Sequence, residues 1–371
     1  MGDVPVWAPE VSMARCGEAH LRALLSALGH DEGELALRVY EEMTRHWGQT
    51  PLAPLKFRSV LTLDYSPLEF SVALSPAGAK LRWVVDCVAS DGDPIESRAI
   101  GVDLCRRLRP FGAELSRLDA VVGALAGAPT KAPLGVGVEP VRAGGAMMFK
   151  VYFPGGAGAE EEACVAALEA LGLRGGARFA RAMFEVEGAR HFLFALDLVP
   201  SAEARAKVYV RCAPAAYRGL LGRLAHACGE GEGKVAAVEA FARAMAGLPP
   251  GADFGPAAAR LVTTLQFVEG RDAPRSFACN YALSPNIGSG EGAEPLDDGL
   301  VSRRIGEVLA QCGLDAGPYL RALEVFRRVP LDEEYMIHDY VTMQGRPGAA
   351  SVSVYLNPRF HAYHLEPEEW P

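Results

Sequence analysis

The hydrophobic pattern of this chain switches repeatedly between the helical period and the strand period, and it does so in pairs. Leu21, Leu24, Leu25 and Leu28 repeat at helical spacing until Gly29, and Leu35, Leu37, Val39, Tyr40 and Met43 continue in a second amphipathic stretch over Glu32–Trp47. Val60–Leu74 then reads as two strand-like stretches broken around Tyr65-Ser66-Pro67, and Leu81–Ala89 as another. Helices are predicted near 96–109 and 112–126, a Gly/Pro-rich connection follows, and Met147–Phe153 is a strand. The alternation continues with helices near 159–172 and 175–184, strands at 192–198 and 206–212, and helices near 214–228 and 234–246. Strands at 262–269 and 276–283, helices near 299–312 and 316–327, and strands at 337–344 and 351–356 complete it. Strands joined by short links pair antiparallel, so the pattern is a modular αββα array. An α+β fold is expected: one closed sheet with a ring of helices outside. Residues 1–371 then form one domain, with 1–50 as a helical segment packed on the barrel.

Composition narrows the function. Of 371 residues, 50% are hydrophobic and 22% charged, enough for a large core. The net charge of −9 argues against general nucleic-acid binding but leaves room for a local basic pocket. Met1–Glu10 has Asp3, two prolines and no apolar run, so no signal peptide is expected, and no segment reaches the ~18 apolar residues of a membrane span. The eight cysteines lie far apart without a Cys-x-x-Cys pair, which fits reduced thiols in a cytoplasmic protein. Zinc spacings, a Walker loop and a complete dinucleotide fingerprint are all missing; Gly135-Val136-Gly137 is only a fragment, read as a strand approach or turn.

Each strand sorts into two faces. Lys150 and Tyr152 oppose Phe149, Val151 and Phe153, while Arg205, Lys207, Tyr209 and Arg211 oppose Ala206, Val208 and Val210. Glu69 and Ser71 oppose Phe70, Val72 and Leu74, and Ser351, Ser353 and Tyr355 oppose Val352, Val354 and Leu356. A half-exposed sheet would show the same alternation. The paired helices, however, need an apolar sheet face to cover. The polar face also combines Lys or Arg with Tyr, twice as Lys-x-Tyr. A barrel with its polar face inward accounts for both. Converging Lys and Arg bind a compact polyanion, Tyr faces stabilise a carbocation, and Glu69 can accept a proton. An allylic diphosphate needs this combination when it ionises.

These residues resemble the dimethylallyltryptophan synthase family of aromatic prenyltransferases, in its shorter bacterial form, over roughly Leu61–Pro358, which implies an αββα barrel of ten antiparallel strands around a solvent-filled lumen, ringed by helices. Pro67-Leu68-Glu69-Phe70-Ser71 is similar to the stretch carrying that family's general base, which implies that Glu69 receives the indole N–H proton. Arg82, Lys150, Arg205, Lys207 and Arg346 are the implied diphosphate ligands. Tyr152, Tyr209, Tyr281, Tyr340 and Tyr355 are the implied tyrosine shield. The backbone around Leu61, with Glu69, is implied to hold the acceptor. Cys279 stands where the family often has Gln, two residues before Tyr281.

The resemblance implies transfer of a dimethylallyl group from dimethylallyl diphosphate to the indole ring of tryptophan or a tryptophan-derived metabolite. No cofactor is expected and magnesium is not essential, because Lys and Arg replace the metal as counter-charge. Asp297-Asp298 is followed by Gly299-Leu300-Val301 and fails the Asp-Asp-x-x-Asp pattern; it reads as a loop, with Asp298 a candidate N-cap. A phenol or quinolone acceptor, a longer prenyl diphosphate, and a non-catalytic anion-binding barrel are the competing readings. The expected partners are small molecules, with neither nucleic acid nor a membrane span, in a monomer or homodimer.

Overall fold

The computed structural model describes residues 5–30, 33–89, 92–126, 133–140, 147–155, 160–186, 188–200, 204–283, 297–345, 348–362 and 364. Ten strands form one closed barrel: β1 (Leu68–Ser75), β2 (Gly78–Asp86), β3 (Gly135–Pro140), β4 (Met147–Pro154), β5 (Arg190–Leu198), β6 (Ala206–Arg211), β7 (Leu261–Phe267), β8 (Ser276–Ala282), β9 (His338–Gln344) and β10 (Ser351–Leu356). Every strand pairs with its sequence neighbours, and β10 returns to β1 with Ser71 opposite Tyr355. All pairings are antiparallel, so the closed meander leaves no strand edge unpaired.

Among the described residues the helices are α1 (Met13–Leu28), α2 (Gly33–Thr44), α3 (Pro94–Arg107), α4 (Ser116–Ala126), α5 (Glu160–Ala170), α6 (Arg174–Phe184), α7 (Pro214–Ala227), α8 (Glu232–Ala246), α9 (Gly255–Ala258), α10 (Asp298–Gln311) and α11 (Gly317–Phe326). None of them is long and apolar enough to cross a membrane. Local chemistry places several ends. Ser12 caps α1, Gly29 closes it in the left-handed conformation at φ 68°, and Asp93 caps α3 just before Pro94. At α10 the capping side chain is Asp297, which accepts from the Leu300 amide at 2.6 Å. Asp298, the expected cap, instead accepts from His338 Nδ1 at 2.6 Å and the Ile337 amide at 3.0 Å, tying α10 to β9.

The two faces of the sheet are inverted relative to an ordinary barrel. In β4 the buried residues Met147, Phe149, Val151 and Phe153 alternate with half-buried Met148, Lys150, Tyr152 and Pro154. β6 repeats this, with Ala206, Val208 and Val210 buried. The apolar set faces outward under the helices, where Phe70, Trp83, Phe149, Phe194 and Phe277 are fully buried. Truncating one such aromatic to Ala costs roughly 3–5 kcal/mol. The polar set faces the lumen, because the ring of helices already supplies the core.

Two strand expectations change. The stretch from Val60 to Asp64 is not a strand: Thr62 Oγ1 donates to the Ser66 carbonyl at 2.9 Å, Ser66 Oγ donates to Asp64 at 2.9 Å, and Tyr65 adopts φ 65°. These side-chain bonds offer the backbone a turn in place of a ladder. The tenth strand is β3, within the stretch read as a Gly/Pro-rich connection. Its Gly135 and Gly137 pair with Tyr152 and Lys150 of β4.

Candidate active site

The lumen is graded along its length. One end is a cavity of about 180 Å³ lined by Lys80, Arg82, Lys207, Gln266, Gln344 and Ser353, among others. Lys150 on β4 and Arg205 just before β6 lie beside it, joined to the lumen face through Asp197. Glu139 of β3 accepts from Lys80 Nζ at 2.7 Å and Arg82 Nε at 2.6 Å. Asp197 of β5 accepts from Arg205 Nε at 2.6 Å and lies 3.6 Å from Lys150 Nζ. Burial works to raise both carboxyls, but the cations outweigh it: Glu139 stays below its usual range and Asp197 is held at about 2. Among the described residues Lys207 has no carboxylate within ion-pair distance. Burial, with Lys150 and Arg205 close by, pushes its ammonium well down.

The other end is a cavity of about 410 Å³, within the range of small-molecule pockets. Val60, Leu61, Val84, Gly135, Phe192 and Val262 give it apolar walls, and Glu69, Asp86 and Arg211 give it charge. Glu69 is 5% exposed, and burial, then Asp339, then Asp86 push its carboxyl well above the ordinary range. Asp86 accepts from Ser59 Oγ at 2.6 Å, and burial lifts it to about 7. Arg211 stacks its guanidinium 4.1 Å from the centre of the Phe192 ring. Its Nε and Nη2 are buried without a hydrogen-bond partner.

Tyr209, Tyr355 and Asn280 line both cavities and form the waist between them; Tyr152 and Tyr340 line the larger one. Tyr340 and Tyr355 meet edge to face, 6.2 Å between ring centres. Burial raises all four phenols, which therefore stay neutral O–H donors with electron-rich faces. Gly137 makes room for one of them: a Cβ there would sit 3.1 Å from Tyr152 Cε2 and 3.3 Å from Val84 Cγ2. Such a lumen can hold a polyanion at one end, a cation at its waist and an aromatic ring with a proton acceptor at the other.

Of the residues singled out in the sequence, Leu61, Glu69, Arg82, Lys207, Tyr152, Tyr209, Tyr340 and Tyr355 line these cavities, with Lys150 and Arg205 adjoining. Tyr281 does not. It faces outward, 3% exposed, and packs edge-on against Phe241 of α8 at 6.5 Å. Strand parity explains the correction: Ala278 and Asn280 take the lumen positions, so Phe277, Cys279 and Tyr281 form the outer apolar set. Cys279 therefore faces the helices rather than the basic end of the lumen. Arg346 lies outside the described residues. Sequence reasoning passed over Lys80, Asp86, Glu139 and Asp197 as site residues. Parity on β2 puts Lys80 and Asp86 on the face of Arg82, a signal that was available; the pairing of Glu139 and Asp197 with lumen cations needed the register.

A closed ten-stranded antiparallel barrel, ringed by helices and polar within, is the αββα prenyltransferase architecture. The chain belongs to the tryptophan dimethylallyltransferase family, whose model matches residues 18–218, and it is an aromatic prenyltransferase of the dimethylallyltryptophan synthase type. Its structure is similar to that of 5-dimethylallyltryptophan synthase from Streptomyces coelicolor, with a TM-score of 0.78 and 24% identity over 96% of this chain and 100% of that one. 6-Dimethylallyltryptophan synthase from Micromonospora olivasterospora, in complex with DMASPP and Trp, gives 0.77 and 22% over 95% and 98%. AnaPT from Neosartorya fischeri gives 0.64 and 16% over 91% of each chain. No curated protein sequence matches the chain.

Proposed function

We propose that this enzyme transfers the dimethylallyl group of dimethylallyl diphosphate to the indole ring of tryptophan or a tryptophan-derived acceptor, by Friedel–Crafts alkylation without a metal. The observation that carries this reading is the grading of one lumen: basic residues at one end, neutral tyrosines at the waist, and Glu69 in an aromatic-sized cavity at the other. Arg82, Lys150, Arg205 and Lys207, with Arg346, hold the diphosphate and supply the counter-charge a metal would otherwise provide. The allylic C1–O bond breaks, diphosphate keeps the electron pair, and the cation is left between Tyr152, Tyr209, Tyr340 and Tyr355. Their ring faces stabilise it and shut out water. The indole, lying near Leu61 with its N–H toward Glu69, attacks through a ring atom. Glu69 accepts the N–H proton as positive charge develops on the ring; the proton at the alkylated carbon then passes to water while Glu69 returns its proton to nitrogen, which restores the neutral aromatic indole with the loss of one proton overall.

Arg211 supports a free amino acid as acceptor. A guanidinium with Nε and Nη2 buried and unpartnered in the acceptor cavity suits a carboxylate, which can take both donors at once. The reading is tested by incubating the purified protein with EDTA, dimethylallyl diphosphate and L-tryptophan and looking for a prenyl adduct by mass spectrometry. An adduct is expected, and tryptamine, which lacks the carboxylate, is expected to react poorly. A reaction that needs added magnesium would overturn the metal-free part. Reaction with phenols and not with indoles would overturn the acceptor.

A further inference from the structure

The diphosphate end contains two buried carboxylates that a polyanion site has no direct use for. Glu139 is 6% exposed and Asp197 is 2% exposed. Each holds one lysine and one arginine, and each takes its arginine at Nε. A guanidinium held at Nε keeps its outer Nη edge for a second partner. The strand register builds the arrangement twice from different strands. Asp197 lies directly opposite Lys150 and is also bonded to the Arg205 amide at 3.3 Å, whereas Glu139 reaches from β3 to Lys80 and Arg82 on β2.

We propose that Asp197 and Glu139 are positioning residues of the diphosphate clamp, each aiming a lysine–arginine pair at a ligand it does not itself bind. This rests on the diphosphate reading given above. The carboxylates prevent two failures. Without them, like charges crowded on neighbouring strands would splay apart. Burial would also disfavour the charged form of the lysine with its main counter-charge gone. Burial already lowers Lys150, and Asp197 is the counter-charge that opposes it most. The other charged groups around Lys150 are Arg82, Arg205 and Glu139, with Lys207 further along β6 and Arg117 of α4 close to Asp197. Apart from Glu139, which is occupied by Lys80 and Arg82, all are cations, so nothing replaces Asp197.

The test is calorimetric titration of inorganic pyrophosphate into the full-length wild type and the Asp197→Asn, Asp197→Glu and Glu139→Gln variants, at pH 8.5 and pH 6.5 in EDTA. Asp197→Asn is expected to weaken binding about tenfold relative to wild type at pH 8.5. The ratio is expected to shrink at pH 6.5, because lower pH favours the charged form of Lys150. Asp197→Glu restores most of the affinity. Glu139→Gln also weakens binding, because Lys80 and Arg82 lose the carboxylate that aims them. It decides the matter if Asp197→Asn does not fold. Unchanged affinity in the Asn or Gln variants, or an Asp197→Asn defect equal at both pH values, overturns the proposal. A wild type that fails to bind pyrophosphate overturns the clamp reading itself.

Discussion

Replacing Glu69 by Gln removes a carboxyl of the larger cavity that lies beside Tyr340 and Tyr355, while keeping its volume. The carboxyl is buried among Asp339 and Asp86, all three acidic, so an amide there relieves repulsion and the fold should be at least as stable. The catalytic loss is larger. A positioned general base contributes about 10²–10⁴-fold, or roughly 3–5 kcal/mol of barrier. Glu69 belongs to the cavity away from Lys207 and Lys80, so pyrophosphate affinity should stay within about twofold of wild type. The assay is adduct formation by liquid chromatography across pH, beside a pyrophosphate titration. The base must be ionised to act. Its raised pKa therefore predicts that wild-type turnover falls as pH drops through a value above the ordinary carboxylate range of about 4.3, and that Glu69→Gln lacks this limb. Glu69→Gln turnover within about threefold of wild type would refute the assignment. So would an acid limb that persists in the variant.

Lys207→Ala should weaken pyrophosphate binding by about 1.5–3 kcal/mol, the worth of one charge-assisted contact, with acceptor binding unaffected; calorimetry checks both. Gly137→Ala places a methyl 3.1 Å from the Tyr152 ring, which must shift toward the lumen. Overpacking of this kind costs about 1–3 kcal/mol, so a raised KM for the acceptor with unchanged pyrophosphate affinity is expected from steady-state kinetics and titration.

Much of this enzyme was legible along the chain because a barrel with its core outside leaves a simple signature. Period 2 marks each strand, and the polar half of each alternation marks the lumen. Glu69, Lys150, Tyr152, Lys207 and Tyr209 were found in this way, before any pairing was known. The errors have local causes. The Val60–Asp64 run has strand-like residues, yet Asp64, Ser66 and Thr62 satisfy its polar groups in a turn. β3 escaped notice because its lumen positions are glycines, which read as a connection but serve here to accommodate Tyr152. Tyr281 was assigned by its likeness to a motif, although Phe277, Cys279 and Tyr281 already formed the apolar set of their strand.

The sequence by itself determined which residues share a face, since alternation is a property of each strand alone. It therefore determined that basic, tyrosine and acidic groups would be collected inside one closed sheet. Which of them meet was decided only by tertiary structure. Glu139 finds Lys80 and Arg82, and Asp197 finds Lys150 and Arg205, through inter-strand register. Arg211, beside Tyr340, is left with Nε and Nη2 unpartnered because no carboxylate meets it across the larger cavity within hydrogen-bond reach among the described residues. Register and closure are set by the whole barrel packing its apolar surface beneath the helices, and no single strand carries that information.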